Sequence, residues 1–451
     1  MSYITFRSLL YVNFVSHCIM EQILQYIWQH RLWETSRPMT VSGEPLTVIE
    51  PGQINTDSGP DFFNAKIKIG NRVWAGDVEV HVKASDWYRH HHDRDNAYDS
   101  VILHVVEKDD MEVRYPTSNE VIPQLRISYP PNFVERCSRL LKNASDLPCS
   151  NRLLEIDNIE QTSWLTSLLY ERLHDKCRRI EHLLGKTTSN REEVCYITLA
   201  RALGTNINGD AFERLALSVP LSISGKHSDS LTVLESLLFG QAGLLDIPNN
   251  ENEYYIRLQN EYKFLNAKFG LQSAKNLNWK MARMRPSNFP HRRIALLASF
   301  LHGGFKLLSR LMEAEDLDDV RVCFKRELTG YWSSHFNFNN SSVDGYRGLS
   351  EMTIDSLVIN VAVPLLYYFG GQLNTRHGEV LQERAIGFLE KIKPERNYIV
   401  KTFTNCGIKC PDAFTSQSLI QLRKNYCDLR KCVFCRIGHK LLRKEVTARG
   451  I

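Results

Sequence analysis

The stretch from residue 52 to residue 87, GQINTDSGPDFFNAKIKIGNRVWAGDVEVHVKASDW, decides how the N-terminal part of the chain folds. Two runs rich in β-branched and aromatic residues flank Gly70-Asn71, a pair that favours a tight hairpin turn. In the second run three valines alternate with three polar residues, which are Glu79, His81 and Lys83. Because side chains alternate across a strand, the stretch predicts an antiparallel hairpin with one apolar and one polar face.

The sequence on either side of this hairpin changes period. Before it, residues 20–33 place apolar side chains three and four apart, which is typical of an amphipathic helix. Short β-rich runs continue to about residue 130, whereas from there to residue 400 the apolar spacing is mostly helical. We therefore predict an α+β protein: a mixed α/β sheet domain followed by a mostly α-helical domain and a Cys-rich C-terminal tail.

The predicted boundaries follow these changes in pattern. Residues 1–19 are expected to be a start extension ahead of Met20, because they lack the features of a secretory signal. The sheet domain is predicted over 20–132, the helical domain over 133–400 and the basic Cys-rich tail over 401–451. No internal repeat or low-complexity linker interrupts them.

Composition narrows the class of protein. A hydrophobic fraction of 43% and a charged fraction of 24% are typical of globular proteins, and we find no long uncharged apolar run, so we expect no membrane span and a cytoplasmic setting. Residues 421–451 contain nine Lys or Arg and two acidic residues, which gives this segment a net charge of +7, whereas the net charge of the whole chain is +5. The rest of the chain therefore has a net charge of −2, so any electrostatic attraction to nucleic acid would come from the tail.

The polar face of the hairpin predicts a metal site. Asp61 begins the first strand and lies about as far from the turn as Glu79, so the two carboxylates should meet across the hairpin. A divalent cation relieves their repulsion, and oxygen ligands suit Mg²⁺ or Mn²⁺. His81 or Lys83 would then orient or deprotonate a water. The alternative is an edge strand with a solvated charged face and Asp61 as a turn residue.

These residues resemble the PD-(D/E)xK nuclease superfamily. Pro60-Asp61 corresponds to its second motif and Glu79-Val80-His81 to its third. The resemblance implies a restriction-endonuclease-like sheet domain that cleaves nucleic acid with a divalent metal. The chain departs from the motif because His81 stands where the superfamily usually has Lys, which leaves the role of the base open.

Further histidines follow the hairpin. His90, His91 and His92 precede two aspartates, and imidazole suits Zn, Fe or Mn. One of these histidines, His90 or His92 for example, could reach the metal from a loop, or the triplet could be a solvated turn. His104 shares a strand face with apolar residues, which favours a satisfied core histidine over a ligand.

The tail carries a cluster of five cysteines. They form C-x3-C and C-x4-C-x2-C, which are Cys406 and Cys410, then Cys427, Cys432 and Cys435. Thiolates at such spacings, with His439 as a further donor, predict a structural Zn²⁺ site. An iron–sulfur cluster or reduced thiols in a helical hairpin are the alternatives.

The helical part contains Arg285-Pro-Ser-Asn288, in which Arg285 could contact an anion, although a rigid turn is the simpler interpretation. With this run in view, the chain from about Met20 onward resembles an uncharacterised bacterial domain-of-unknown-function family (DUF 2851). Other runs that carry the resemblance are GPDFFNAKIKI, GDVEVHV, AYDSVILHVV, LFGQAGLL, LVINVAVPLL and YCDLRKCVFCRIG. The resemblance implies a bacterial cytoplasmic protein and no particular activity.

Three functions remain open from the sequence. The first is a Mg²⁺- or Mn²⁺-dependent phosphodiesterase acting on nucleic acid. The second is a non-catalytic nucleic-acid- or protein-interaction protein with a degenerate nuclease-like domain. The third is a transition-metal hydrolase that uses His81, His90, His92 and His104.

Overall fold

The computed structural model describes residues 19–33, 37–55, 58–129, 131–141, 147–246, 251–271, 277–341 and 348–447. The start extension predicted for residues 1–19 lies outside this range except for residue 19. Contacts divide the chain into two compact units. The first unit contains the described residues up to 164 together with 405–408 and those from 422 onward, and the second contains 165–404 and 409–421.

The first unit is built on a mixed sheet. Its strands are β1 Leu46–Glu50, β2 Gln53–Ile54, β3 Phe62–Ile69, β4 Arg72–Lys83, β5 Val101–Lys108 and β6 Gln124–Arg126. Over the described residues the sheet has six strands in the order β1-β3-β4-β5-β6, with β2 also paired to β3. A sheet domain at the N-terminus, followed by a helical region, confirms the predicted α+β class.

The hairpin between β3 and β4 confirms the predicted turn. Ile69 pairs with Arg72, and Gly70 between them has φ +57°, a conformation that favours glycine. At the other end of the hairpin Phe62 pairs with Val78, which brings the residue before β3 next to the residue after Val78. This register places Asp61 beside Glu79.

β4 then pairs in parallel with β5, so the chain must cross back between the two strands. The crossover contains helix α2, Asp86–Arg89, and two 3₁₀ turns, His92–Arg94 and Asn96–Ser100. It carries the histidine triplet. The triplet therefore lies near the C-terminal end of β4, where the crossover begins.

Two apolar layers hold β4 in place. Helix α1, residues 19–30, contributes Ile23, Leu24 and Ile27 to the core that also buries the three valines of β4. A second and smaller cluster contains Trp87, Tyr98 and residues of β5. The prediction that the valines of β4 face a core is therefore confirmed.

The remaining helices continue the chain. They are α3 Pro131–Leu141, α4 Asn158–Lys186, α5 Arg191–Leu203, α6 Thr205–Ser218, α7 Leu221–Ser224, α8 Leu231–Gln241, α9 Glu253–Phe269, α10 Pro290–Leu301, α11 Leu307–Glu313, α12 Leu317–Phe324, α13 Tyr331–Ser334, α14 Glu351–Leu357, α15 Val363–Gln372, α16 Arg376–Lys391, α17 Tyr398–Asn405, α18 Ala413–Leu422 and α19 Arg436–Thr447. Most of them build the second unit around one large apolar core. α3 and α19 belong to the first unit.

One described helical stretch, Glu351–Gln372, is long and apolar enough to cross a membrane when judged by length and composition alone. Within it, 61% of the most apolar window is buried inside the protein. Residues such as Leu357, Val361 and Leu365 join the core of the second unit. The stretch therefore has the burial of a core helix.

The second unit buries a histidine among aromatic rings, and this arrangement predicts a pH dependence. His291 is 7% exposed and packs against Phe239, Trp332 and Phe338, and burial lowers its pKa from the ordinary value to about 4. Between the folded and unfolded pKa values the unfolded chain binds more protons, so stability falls as the pH drops through this window.

Between pH 7 and pH 5, we expect the free energy of unfolding to fall by about 2 kcal/mol more in wild type than in His291→Leu. Denaturant titrations at both pH values measure this difference. The same substitution at exposed His377 is the control and should leave the pH dependence unchanged. An identical pH dependence for wild type and His291→Leu would contradict the prediction.

Candidate functional site

The two predicted carboxylates meet where β3 begins. The backbone N–H of Asp61 donates to Oε2 of Glu79 at 3.0 Å, and the backbone N–H of Val80 donates to Oδ2 of Asp61 at 3.0 Å. Each acidic side chain therefore reaches the backbone of the neighbouring strand. This exchange holds both carboxylates at one end of the hairpin, as the sequence predicts.

The alternative of a solvated edge strand is wrong for β4. This strand lies between β3 and β5, and the side chains of Glu79 and His81 are almost completely buried, with residue exposures of 4% and 2%. Lys83 differs from them because it is exposed and its charge acts on Asp110. The structure therefore assembles Asp61, Glu79 and His81 without placing Lys83 among them.

Helix α1 brings additional polar groups to the carboxylates. Nε2 of Gln25 donates to Oδ1 of Asp61 at 2.8 Å. Glu21, one turn earlier, is close enough to Asp61 and Glu79 for their charges to interact. Glu21 was not predicted from the sequence. The four-residue spacing of Glu21 and Gln25, which places both on one side of the amphipathic helix, is the signal that could have indicated it.

Three histidines complete the cluster. The ring nitrogens of His81, His90 and His92 lie within 4.8 Å of one another. Nε2 of His92 is 3.2 Å and Nε2 of His81 is 3.4 Å from Oε1 of Glu79. The histidine cluster, as we call His81, His90 and His92, therefore shares its position with the carboxylate of Glu79.

Local backbone geometry explains how two residues of the triplet join this cluster. His91 adopts a left-handed conformation with φ +63°, which is uncommon for a residue other than glycine. Its own side chain is exposed, whereas His90 and His92 both reach His81. The turn at His91 therefore brings its two neighbours to one side.

His104 supports the cluster from β5. It is fully buried, and its Nε2 lies 2.9 Å from Nδ1 of His81. The second ring nitrogen of His81 faces His90 at 3.1 Å. His104 thus has the expected position of a satisfied core histidine, and it also fixes which nitrogen of His81 faces the carboxylates.

Burial controls the electrostatics of these groups. It raises the pKa of Glu79 to about 8 and the pKa of Glu21 to about 7. The pKa of Asp61 is raised well above its usual range by burial and then by the charge of Glu79. Burial lowers the pKa of His81 and of His92. The imidazoles therefore favour the neutral form, which is the form that binds metals.

This donor set fits a divalent cation. Bound cations stabilise deprotonated carboxylates, and the cluster places several desolvated carboxylates next to neutral imidazoles. A mixture of imidazole and carboxylate suits Mn, Fe or Zn, whereas a purely oxygen set would suit Mg²⁺. Asp61, Glu79, His81, His90 and His92 are the residues that could hold such an ion.

The other predicted residues lie elsewhere. Asn288 accepts a hydrogen bond from Arg293 at 2.6 Å, within the turn that follows exposed Arg285. This pair has the geometry of a packed turn. Cys410 belongs to the second unit, where its thiol lies 3.8 Å from the carbonyl oxygen of Asp412.

The predicted cysteine tail is divided between the two units. Cys406, Cys427, Cys432 and Cys435 belong to the first unit. Nδ1 of His439 lies 2.5 Å from the hydroxyl of Tyr26. His439 therefore faces helix α1.

Basic residues of the tail are partly used in packing. Arg423 forms an ion pair with Asp428 at 2.5 Å, Lys440 pairs with Glu160, and Arg436 lies over the ring of Trp164 at 5.1 Å. These contacts take up part of the positive charge. They leave attraction of the tail to nucleic acid as a prediction.

The fold places the chain among α+β proteins with a mixed N-terminal sheet and a helical region after it. Residues 21–398 match the family described as a protein of unknown function (DUF2851), so the chain belongs to that family. No curated protein and no solved structure gives a significant match. The predicted family is confirmed, and the match includes every residue of the histidine cluster.

The cluster predicts how metal affinity depends on single residues. We expect wild-type protein to bind Mn²⁺ or Zn²⁺ and His92→Gln to weaken that binding by about 10-fold or more, because a ligand beside Glu79 is lost. Isothermal titration calorimetry with each metal measures the change. His91→Gly is the matched control, since glycine accepts the left-handed turn and the side chain of His91 is exposed. Equal weakening in both variants would contradict the assignment.

Proposed function

We propose that this protein is a divalent-metal-dependent phosphodiesterase that acts on nucleic acid. The observation that carries the proposal is the convergence of Asp61 and Glu79 with the histidine cluster at one end of β4. Buried acidic and imidazole groups with shifted pKa values concentrate at functional sites. A structural role alone gives no reason to bury so many of them together.

Each residue has a role that follows from its position. Asp61 and Glu79 would bind the cation through carboxylate oxygens, and His81 and His92 through Nε2. Bound there, a divalent ion would polarise a phosphoryl oxygen and lower the pKa of a coordinated water. His90 is the exposed member of the cluster, so it is positioned to orient the attacking water by a hydrogen bond.

A phosphate group also has a cationic partner nearby. Arg89 is exposed, its Nη2 lies 2.9 Å from Oδ1 of Asp86, and its charge acts on both Glu21 and His81. A guanidinium in this position would attract a phosphodiester toward the open side of the cluster. Substrate would then be bound by local charge and not by the slightly acidic body of the chain.

The choice of nucleic acid as substrate rests on the resemblance to PD-(D/E)xK nucleases. Two features support it: Asp61 immediately precedes β3 and lies beside Glu79 of β4, and the strand after the crossover is parallel to β4. The replacement of the usual Lys by His81 is consistent with a site in which imidazole acts as a metal ligand. Such a site would favour Mn²⁺ over Mg²⁺.

A second function deserves a test because of the histidine cluster. A transition-metal hydrolase acting on another ester would use the same ligands and would prefer Zn or Fe. Metal analysis of the purified protein, together with assays on a phosphodiester and on a carboxylic ester, distinguishes the two. Cleavage of the carboxylic ester alone would favour this second function.

We expect purified protein to cleave DNA or RNA in the presence of Mn²⁺, and Asp61→Asn and Glu79→Gln to lower the rate by at least about 100-fold. Both substitutions keep the size of the side chain and remove its negative charge. Cleavage of end-labelled single- and double-stranded substrates measures the effect.

Glu112→Gln is the matched control, because Glu112 is an exposed residue of the same unit whose partner is Arg114. It should keep the wild-type rate, since exposed ion pairs contribute little. If wild type binds the metal and cleaves no nucleic acid, the proposal is wrong and a non-catalytic binding role is favoured.

A further inference from the structure

A group of cysteines gathers in the first unit and takes no part in the site above. Cys427, Cys432 and Cys435 are joined by Cys149, which lies far from them in the sequence and was not predicted as a partner. Cys432 and Cys435 are buried, and the other two are half-buried. We refer to Cys149, Cys427, Cys432 and Cys435 as the thiol cluster.

Backbone turns hold three of these thiols in one compact loop. Arg430 adopts a left-handed conformation with φ +53°, and its N–H donates to the carbonyl oxygen of Cys427 at 3.1 Å. The N–H of Cys435 donates to the carbonyl oxygen of Cys432 at 3.3 Å. Gly438 packs so tightly that a Cβ there would lie 1.9 Å from that same oxygen of Cys432. The loop therefore has a fixed shape before any ligand binds.

Helix packing brings Cys149 to this loop. Cys149 immediately precedes the 3₁₀ helix Ser150–Glu155, which packs against α19. α19 begins directly after Cys435 and also packs against the 3₁₀ helix Cys432–Phe434. The thiol of Cys149 is consequently a neighbour of those of Cys432 and Cys435.

The surroundings of the cluster combine burial with backbone donors. The backbone N–H groups of Ile437 and Gly438 are directed at the sulfur of Cys435. Burial, and after it the neighbouring thiols, nevertheless raises the pKa of Cys149 and of Cys432 to about 12. Two buried and two half-buried thiols are thus gathered at one place, and a bound metal ion would offset the cost of deprotonating them.

We propose that the thiol cluster binds an iron–sulfur cluster. Four cysteines are the ligand set of such centres. A single tetrahedral zinc would require sulfurs about 3.8 Å apart. Within the described part of the chain, the thiols form no group of three whose sulfurs all lie within 4.8 Å of one another. In an iron–sulfur cluster the thiolates bind different iron atoms, so their sulfurs need not lie this close to one another.

The centre would join two distant parts of the chain. In sequence, the first unit contains residues that precede the second unit and residues that follow it. Of the latter, Val433 and Leu442 pack in the same apolar core as the sheet. Bonds from one cluster to Cys149 and to the C-terminal loop would fix this return of the chain. Its role would be structural, and it is independent of the function proposed for the histidine cluster.

The experiment begins with full-length protein purified without oxygen. We expect broad visible absorption, about four iron atoms and about four acid-labile sulfides per chain. Sulfide separates this centre from iron bound by histidines. Glu79→Gln should therefore keep the sulfide and the absorption.

Single substitutions identify the ligands. Cys149→Ala should lose at least half of the iron and sulfide, and Cys177→Ala, which changes a half-buried cysteine of the second unit, should lose none. Cys406→Ala should also retain the cluster, although the thiol of Cys406 neighbours that of Cys149. If Cys406→Ala loses the cluster and Cys149→Ala keeps it, the proposed ligand set is wrong.

A measurement on wild type avoids the difficulty that a variant could fail to fold. Alkylation followed by mass spectrometry should label Cys149 and Cys427 only after the iron is removed by a chelator and an oxidant, because both are half-buried and would react once released. Labelling of both in untreated protein that contains its full iron would overturn the proposal. One zinc per chain without sulfide, or protein with neither metal, would overturn it as well.

Discussion

The pair of hydrogen bonds that Asp61 makes with Glu79 and with Val80 across the β3–β4 hairpin imposes a constraint on the whole first unit. Burying a carboxylate costs several kcal/mol unless the group is paired, hydrogen-bonded or neutralised. Here two such groups are buried at one point, and Glu21 of α1 is close to both. The surrounding elements must therefore supply donors on one side and access to a cation on the other.

The architecture of the unit meets this requirement. Backbone N–H groups and Gln25 donate to the carboxylates from the sheet and from α1. The crossover between β4 and β5 places the histidines on the side left open. His104 then limits the orientation of His81 by occupying one of its ring nitrogens. Each neighbouring element thus contributes one kind of group. Without the crossover at the end of β4, the buried carboxylates would lack the histidines beside them.

Sequence patterns predicted the part of this site that depends on neighbouring strands. The alternation at Val78–Lys83 and the turn at Gly70 fix which side chains share a face, so the meeting of Asp61 with Glu79 followed from counting. Glu21 could not be predicted in this way, because its position depends on how α1 packs on the sheet. The distinction between His90, His91 and His92 required the left-handed backbone at His91, and residue propensity does not indicate which of three identical residues adopts it.

The cysteines show the same limit at longer range. Spacing grouped Cys406 and Cys410 with the later cysteines, whereas the chain enters the second unit again between Lys409 and Gln421. Cys149 had no sequence neighbour of its type, and only the packing of the 3₁₀ helix after it against α19 brings it to the others. Local spacing describes one loop well and gives no information on a partner almost three hundred residues earlier.

The two clusters of the first unit differ in the chemistry of their donor groups. Carboxylate and imidazole bind hard or borderline cations, whereas thiolates bind zinc, copper(I) or iron–sulfur centres. The carboxylate site has its exposed side at His90, and the burial of its acidic groups disfavours their charged form. The thiol cluster is formed by buried and half-buried residues next to the apolar core. A centre that joins the two ends of the unit, as we propose for the thiol cluster, would stabilise the same unit that buries the acidic groups.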